Sequence, residues 1–237
     1  MSGLIQDTRA PTAQPLRWLK RWLRSKRQSA IPLSLMESIQ KGVLAYSYKG
    51  VPALKSPFDL SLYQHLIWEL RPRTIIEVGA HLGGSTLWLA DAAAVAGVDC
   101  QVHAVDLKPI TGVSAPNINF HVGDARALDR LFSSEFMSAL AHPMLVIEDA
   151  DHQAETTLAV LRFFAPWLWA GDYLVVEDGM VGDIGIGHRF GGGPCVAIKR
   201  FLTECPGRYE IDRRYCDWYG RNVTWNINGY LRRTSAL

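Results

Sequence analysis

Short runs of apolar residues, many of them β-branched, alternate with longer amphipathic segments from residue 74 onwards. Short apolar runs bounded by turn residues predict strands that are buried on both faces of a sheet. The predicted strands cover residues 74–78, 101–106, 118–122, 144–147, 173–176, 209–211 and 223–227. Strands that alternate with helices form a doubly wound α/β sheet, whose ligands lie off the carboxyl ends of the strands.

Helices are predicted before and between these strands from their start and stop residues. The first covers residues 34–45, with Ser34 as its cap and a glutamate at the reciprocal capping position. The next opens at Ser56 and runs to about Leu70, because Pro72 ends it. Further helices are predicted over residues 87–96, 155–169 and 194–203.

Residues 182–193 contain six glycines in twelve positions, which is the composition of a mobile loop. Two roles for this loop remain open. It closes over a bound substrate, or it is a passive surface loop.

Residues 1–30 differ from the rest of the chain in charge. They hold seven Lys and Arg residues against one Asp, so the net charge of +2 divides into +6 here and −4 in the remainder. Leu16, Leu19, Trp22 and Leu23 recur at helical spacing opposite a basic face, which predicts an amphipathic helix. Such a helix binds a membrane surface or a partner, or, as we favour, docks on the body of the protein or on another subunit.

The composition limits the class of protein. A mildly acidic body, residues 31–237, argues against nucleic acid as a partner. The four cysteines show neither a CxxC pair nor zinc-ligand spacing, as expected of reduced thiols. No apolar run approaches the roughly 18 residues of a membrane span, and the N-terminus lacks the apolar core of a signal peptide. We therefore expect one cytoplasmic domain with no transmembrane segment, preceded by the basic segment.

Acidic residues stand at the ends of four predicted strands. They are Glu77, Asp106, Asp149 and the pair Glu177 and Asp178. The carboxyl ends of parallel strands meet at one edge of a sheet. A single acid at such a place is more often a helix cap or a solvated loop residue, but five in register are hard to explain in that way. We interpret the set as a functional site.

Three of these acids have the spacing of a metal site. Asp149 precedes Glu177 and Asp178 by 28 and 29 positions, about one helix and one strand, so the three return to neighbouring strand ends. Ligand sets made only of oxygen suit a hard cation, above all Mg²⁺. The spacing resembles that of metal-dependent catechol-type O-methyltransferases, in which the ion binds the acceptor oxygen and lowers its pKa. Asp151 is an alternative ligand if the strand ends later than predicted.

His152 follows Asp149 by three positions, where the catechol-type enzymes carry a catalytic lysine. By this resemblance His152 is the candidate general base for the acceptor hydroxyl, since histidine exchanges its proton near neutral pH. Its alternative role is to orient Asp149 or Asp151.

The turn after the first sheet strand reads Gly79-Ala-His-Leu-Gly-Gly-Ser85 and lacks the G-x-G-x-x-G pattern of dinucleotide sites. It resembles motif I of class I methyltransferases, E-x-G-x-x-x-G-G, which accommodates S-adenosylmethionine. The resemblance implies that Gly79 and Gly83 let the backbone approach the methionine end, and that Asp106 accepts both ribose hydroxyls. It also implies that Asp124 and Ala125 contact the adenine. The other cofactor-binding residues it implies are Glu77, His81 and Ser85.

Further motifs resemble the cephalosporin hydroxylase / rhamnosyl O-methyltransferase family over residues 45–232. They include Lys49-Gly-Val-Pro52, Lys55-Ser-Pro-Phe-Asp59, Asp149-Ala-Asp-His152, Gly171-Asp-Tyr-Leu-Val-Val-Glu-Asp178 and Thr224-Trp-Asn-Ile-Asn-Gly-Tyr-Leu-Arg232. The resemblance implies a Rossmann-like class I methyltransferase fold, with a seven-stranded, mostly parallel sheet, helices on both faces and extra N-terminal helices. It also implies a homo-oligomer that uses Mg²⁺ to methylate a hydroxyl of a sugar or secondary metabolite.

Three rival functions are less well supported. The family name includes a hydroxylase, but the sequence shows no 2-His-1-carboxylate triad and no haem motif. A nucleic-acid methyltransferase would carry an Asn/Asp-Pro-Pro-aromatic motif after the fourth strand, where this chain has Glu148-Asp-Ala-Asp-His152. A scaffold that binds the cofactor without catalysis has no need of the three converging acids of the predicted metal site.

Overall fold

The computed structural model describes residues 27–234. The amphipathic helix predicted from Leu16 to Leu23 lies outside the described residues. The backbone N–H groups of Gln28 and Ser29 donate to the carboxylate of Asp183 at 3.0 and 2.7 Å, so the chain contacts the domain already at this point. The division of the chain at residue 30 stays a prediction.

The described residues form a two-stranded hairpin and a seven-stranded sheet. The strands are β1 (Ser47–Tyr48), β2 (Val51–Pro52), β3 (Thr74–Val78), β4 (Gln101–Asp106), β5 (Ile118–Val122), β6 (Met144–Glu148), β7 (Tyr173–Val176), β8 (Tyr209–Ile211) and β9 (Tyr230–Arg233). The sheet has the order β5-β4-β3-β6-β7-β9-β8. Its first five strands are parallel, and β9 runs antiparallel to both β7 and β8. The predicted fold class is confirmed.

Helices connect the strands. The α-helices are α1 (Leu33–Ala45), α2 (Pro57–Leu70), α3 (Gly84–Val95), α4 (Ser134–Ala139), α5 (Ala154–Phe164), α6 (Met180–Asp183), α7 (Pro194–Glu204) and α8 (Arg213–Cys216), and two 3₁₀ helices cover Ala125–Arg130 and Gly187–Phe190. The helix α2 opens after Ser56, as predicted, and Ser56 caps it by accepting the N–H of Asp59 at 3.1 Å. The cap predicted at Ser34 is wrong, because the first turn of α1 closes on the carbonyl of Pro32 and has no side-chain cap.

The sheet separates two apolar cores. Ile76 and Val146 pack on the face covered by α5 and α7, whereas Ile75 and Ile147 pack on the face covered by α2 and α3. Successive side chains of a strand point to opposite faces. An acid two positions after Ile75, Ile147 or Val175 therefore points to the α2/α3 face. Glu77, Asp149 and Glu177 have these positions.

Two predicted elements differ from the structure. The helix predicted over residues 155–169 ends at Phe164, because Pro166 has no backbone N–H with which to continue the hydrogen bonds of the helix. Residues 223–227 are not a strand: the Trp225 N–H donates to the Asp59 carboxylate and the Asn226 N–H to the Thr224 hydroxyl. These amides therefore pair with side chains and not with a neighbouring strand.

The glycine-rich segment at residues 182–193 holds local helical structure in place of a plain loop, since α6 ends within it and a 3₁₀ turn covers Gly187–Phe190. Within residues 27–234, no helix combines the length and the apolar character that crossing a bilayer requires.

Candidate active site

Two adjoining clefts open at the carboxyl ends of the central strands. Here the strand order reverses, since β4 and β5 lie on one side of β3 while β6 and β7 lie on the other. Ligands of open α/β sheets bind at such reversal points. Gly79 and Ala150 line both clefts, so the two spaces meet between the end of β3 and the end of β6.

The first cleft lies over the ends of β3, β4 and β5. Its lining includes Asp106, Asp124 and Ala125. The Asp106 carboxylate accepts the backbone N–H groups of His81 at 2.8 Å and Lys108 at 3.1 Å, which fix it at the end of β4. The Asp124 carboxylate accepts the backbone N–H of Arg126 at 2.8 Å. The first cleft thus presents two oriented carboxylates on neighbouring strand ends.

The second cleft lies between α1, the β1–β2 hairpin and the ends of β3, β6 and β7. Its lining includes Gln40, Val43, Leu44, Pro52, Ala53, Leu54, His81, Ser85, Asp149, His152, Asp178 and Trp225. Eight non-glycine residues among residues 27–234 have positive φ, and four of them line this cleft: Leu54, His81, His152 and Asp178. Such conformations cost about 1–3 kcal/mol each and tend to cluster at functional sites. This concentration points to the second cleft as the place of the chemistry.

Asp149, His152 and Asp178 form a group that can hold a metal ion. Each offers one ligand atom, and these atoms lie within 4.8 Å of one another. His152 Nε2 is 3.4 Å from Asp178 Oδ2, and the Phe190 ring packs edge-on against the imidazole with centroids 5.8 Å apart. The group contains two carboxylates and one histidine, so it is not the 2-His-1-carboxylate triad of oxygen-activating iron enzymes.

Lys55 is the centre of a buried ionic cluster beside this group. Its Nζ donates to Asp149 Oδ2 at 2.6 Å and to Glu177 Oε1 at 2.7 Å, and lies 3.5 Å from Glu77 Oε1. Lys55 is 4% exposed, Glu77 0% and Glu177 6%. Burial lowers the pKa of Lys55, but the attraction of the three carboxylates outweighs it, so this pKa lies well above its usual value. The ammonium group is therefore charged at neutral pH.

Glu177, predicted as a metal ligand, lies outside the group of three. Its Oε1 accepts both the Lys55 ammonium and the Tyr63 hydroxyl, each at 2.7 Å, whereas Oε2 enters no hydrogen bond among residues 27–234. The alternative ligand Asp151 also lies outside, because its carboxylate accepts the Gln153 N–H at 3.0 Å and the Thr156 hydroxyl at 3.1 Å.

A buried hydrogen-bond network joins the Lys55 cluster to Asp59. The Asn226 side chain donates to the Tyr63 hydroxyl at 3.3 Å and to the Tyr230 hydroxyl at 3.4 Å. The Tyr230 hydroxyl donates to Asp59 at 3.2 Å. Asp59 also accepts the hydroxyls of Ser56 and Thr224 and the backbone N–H of Trp225. The segments 55–59 and 224–230, far apart in the sequence, therefore support the site together.

Three predicted cofactor-binding positions have structural roles of their own. Glu77 lines neither cleft, and its Oε2 accepts the Thr86 hydroxyl at 2.5 Å. Gly83 also lines neither cleft: it precedes α3 with φ 83°, and an added Cβ would lie 3.0 Å from Ile110. Gly79 lines both clefts, but an added Cβ would lie only 2.0 Å from the Asp149 carbonyl oxygen. A glycine is required there by packing alone.

Lys55 and Tyr63 belong to the site, although the sequence predicts no role for either residue. Lys55 reaches Asp149 across 94 positions and Glu177 across 122, so no local spacing signals the contact. The only signal was the position of Lys55 in the family motif that ends at Asp59.

A mostly parallel seven-stranded sheet of this order, with a glycine turn after β3 and an acid at the end of β4, has the architecture of class I methyltransferases. A model of the family "Rhamnosyl O-methyltransferase/CmcI" matches residues 40–234. The chain belongs to this family and is an O-methyltransferase of the S-adenosylmethionine-dependent class, as the sequence motifs predicted. The rhamnosyl O-methyltransferase of Mycobacterium leprae (strain TN) is 33% identical over 79% of this chain and 82% of its own length. That of Mycobacterium tuberculosis (strain H37Rv) is 30% identical over 79% and 78%.

Solved structures of CmcI are similar along almost the whole chain. The apo structure has a TM-score of 0.64 and 26% identity, and covers 100% of this chain and 91% of CmcI. The Mg-SAM complex has a TM-score of 0.65 and 26% identity, over 98% and 89%. A methyltransferase structure from Thermobifida fusca, at 14% identity and a TM-score of 0.52, shares the fold.

Proposed function

We propose that this protein transfers a methyl group from S-adenosylmethionine to a sugar hydroxyl of a small-molecule glycoside, with Mg²⁺ bound in the second cleft. The observation that carries the proposal is the pair of clefts that meet at Gly79 and Ala150. One cleft presents carboxylates suited to a nucleoside, and the other holds the candidate metal group. The rhamnosyl specificity in the names of the mycobacterial relatives supports a sugar as the methyl acceptor.

The cofactor spans both clefts in this proposal. Asp106 accepts the ribose hydroxyls, and Asp124 and Ala125 border the adenine in the first cleft. His81 and Ser85 border the methionine portion in the second cleft. The first three backbone N–H groups of α3 make no hydrogen bond within residues 27–234. They suit the cofactor's carboxylate, because a helix N-terminus favours negative charge. Glu77 acts indirectly, through its contacts with Thr86 and Lys55.

The donor set fits Mg²⁺, which is often held by one or two carboxylates and keeps several waters. Asp149 and Asp178 are the ligands in this proposal, and Glu177 completes the set through Oε2, the oxygen that Lys55 and Tyr63 leave free. A bound ion would lower the pKa of the acceptor hydroxyl and orient it. His152 then accepts the hydroxyl proton, and Phe190 holds its ring in place. Assembly into a homo-oligomer and a cytoplasmic location stay predictions.

A methyl-transfer screen tests this proposal. Purified protein is incubated with S-adenosylmethionine, Mg²⁺ and panels of rhamnosides, other glycosides, phenols and macrolides, and methylated products are detected by mass spectrometry. We expect a rhamnoside or related glycoside to be methylated. Methylation of phenols alone would contradict the sugar assignment.

The Asp149→Ala variant tests the site in the same screen. We expect at least a 100-fold loss of turnover, with S-adenosylmethionine affinity in calorimetry reduced less than threefold, because Asp149 belongs to the metal group. The matched control is Asp129→Ala, which removes an exposed carboxylate from the 3₁₀ helix over 125–130. Equal activity of the two variants would contradict the assignment of Asp149.

A further inference from the structure

Lys55 is buried beside the candidate metal group. It precedes Ser56, the residue that caps α2, so the helix start fixes the backbone from which its side chain extends. The side chain is 3% exposed, and its ammonium contacts carboxylates from the ends of three strands, β3, β6 and β7. An ammonium group enclosed by acids from separate strands occupies the position that a cation takes in a carboxylate site.

The contacts of Lys55 resemble those of a metal ion in a carboxylate-bridged pair. Lys55 uses Asp149 Oδ2 and Glu177 Oε1, and the second oxygen of each carboxylate enters no hydrogen bond among residues 27–234. In two-metal sites, ions about 3.5–4 Å apart stabilise both reacting oxygens of a displacement. Here an ammonium stands where a second ion would share Asp149.

Glu77 provides an independent observation. Its Oε1 is fully buried and has no hydrogen-bond partner among residues 27–234, and it lies 3.5 Å from Lys55 Nζ. A buried carboxylate oxygen without a partner costs free energy unless a cation compensates it. This oxygen is therefore aimed at the same position and is only partly satisfied by Lys55.

We propose that the Lys55 ammonium fills a second cation position beside the metal site, so that the centre binds one divalent ion and Asp149 and Glu177 are held ready for it. The inference rests on the metal site of the proposed function. Lys55 is a positioning residue in this account, since it contacts the carboxylates and not the substrate.

The charge of the cluster gives the consequence of removing Lys55. Glu77, Asp149 and Glu177 surround the single positive charge of Lys55. Lys55→Ala would leave a cavity bordered by the three carboxylates with no positive charge in it. A second divalent ion would then replace both the lost charge and part of the lost volume.

Manganese binding tests the proposal, because Mn²⁺ takes the same oxygen ligands as Mg²⁺ and is visible in electron paramagnetic resonance. We expect one Mn²⁺ per chain in the wild type and two in Lys55→Ala, measured by equilibrium dialysis and elemental analysis. Two ions that share Asp149 would be magnetically coupled, so the six-line Mn²⁺ spectrum should broaden or disappear in Lys55→Ala only. The control is Lys49→Ala, which removes an exposed lysine paired with Asp91 at 2.6 Å and should keep one ion.

A double variant identifies the position of the second ion. The double variant Lys55→Ala with Glu77→Gln removes one carboxylate of the cavity but leaves Asp149, His152 and Asp178 intact. It should therefore bind one Mn²⁺ per chain again. Two ions in the double variant would contradict the role given to Glu77.

The outcomes separate the two proposals. No Mn²⁺ in the wild type would overturn the metal site of the proposed function. One ion in the wild type and one or none in Lys55→Ala would overturn the role of Lys55 alone. Failure of Lys55→Ala to fold even with Mn²⁺ present would also overturn it, since the second ion is expected to compensate the lost charge.

Discussion

The close backbone approach between Gly79 and Asp149 makes Gly79→Ala a direct test of the site's geometry. A Cβ at this position would lie 2.0 Å from the Asp149 carbonyl oxygen, 2.4 Å from the carbonyl carbon and 2.7 Å from the Ala150 nitrogen. Ordinary contact begins at 3.4 Å, so the turn after β3 and the end of β6 must separate by about 1.4 Å. The neighbouring atoms are backbone, which no side-chain rotation can move away.

The expected cost has two parts. A non-glycine residue at φ 99° costs about 1–3 kcal/mol, and overpacking adds about 1–3 kcal/mol. We therefore expect Gly79→Ala to lower the free energy of unfolding by about 2–6 kcal/mol. The same displacement separates the two segments that border both clefts. A misplacement of about 1 Å can reduce catalysis by about 100-fold, so we expect a loss of at least this size in kcat/KM.

Gly97→Ala is the matched control. Gly97 also has positive φ, 65°, but an added Cβ would meet nothing within 4 Å. The Gly97→Ala variant should lower the free energy of unfolding by only about 1–2 kcal/mol, the cost of the backbone conformation alone. It should leave S-adenosylmethionine affinity unchanged. Urea unfolding and calorimetry with the cofactor measure the two quantities. If Gly79→Ala matches Gly97→Ala in both, the inferred contact between the β3 turn and Asp149 is wrong.

Three further predictions concern single carboxylates. Burial raises the pKa of Glu148 from 4.5 to about 7. The protonated side chain therefore stabilises the fold fully below pH 4.5, and this contribution is lost as the pH rises to 7. The free energy of unfolding should fall by about 3 kcal/mol over this range. Glu148→Gln should flatten the decline in stability between pH 5 and pH 8 in urea unfolding, and a profile parallel to the wild type would refute this. Asp59→Ala should lower the free energy of unfolding by at least about 3 kcal/mol, because several buried donors lose their acceptor. The surface change Asp129→Ala should lower it by less than about 0.5 kcal/mol. An equally small loss in Asp59→Ala would exclude Asp59 as the centre of the buried hydrogen-bond network. Asp106→Ala should weaken S-adenosylmethionine binding at least tenfold in calorimetry while the wild-type Mn²⁺ ratio is kept, and unchanged cofactor affinity would remove Asp106 from the cofactor site.

The parallel core of the fold could be predicted from sequence because its signals are local. Each of the strands β3, β4, β5 and β7 is a short apolar run between turn residues, and the structure has each within its predicted bounds. The two-residue period of a strand also places Glu77, Asp149 and Glu177 on one face once the strands are known.

The last strand and the ion cluster could not be predicted in that way. Residues 223–227 have the composition of a strand, but their amides pair with the side chains of Asp59 and Thr224. Asp59 lies 166 positions before Trp225, so the sequence around residues 223–227 gives no sign of this competing hydrogen-bond acceptor. The same holds for Lys55, whose contacts with Asp149 and Glu177 arise only when α2 packs on the sheet. Side-chain partners that are distant in the sequence thus explain why the strand predicted at residues 223–227 was wrong and why Lys55 was not predicted.

The dependence of methyl transfer on a divalent metal at these clefts is central to the proposed function. Its most direct test is turnover of S-adenosylmethionine to S-adenosylhomocysteine with a methylated glycoside acceptor, before and after EDTA, and again after Mg²⁺ is returned in excess. We predict that EDTA abolishes turnover and that Mg²⁺ restores it. Full turnover in EDTA would contradict the metal-assisted account.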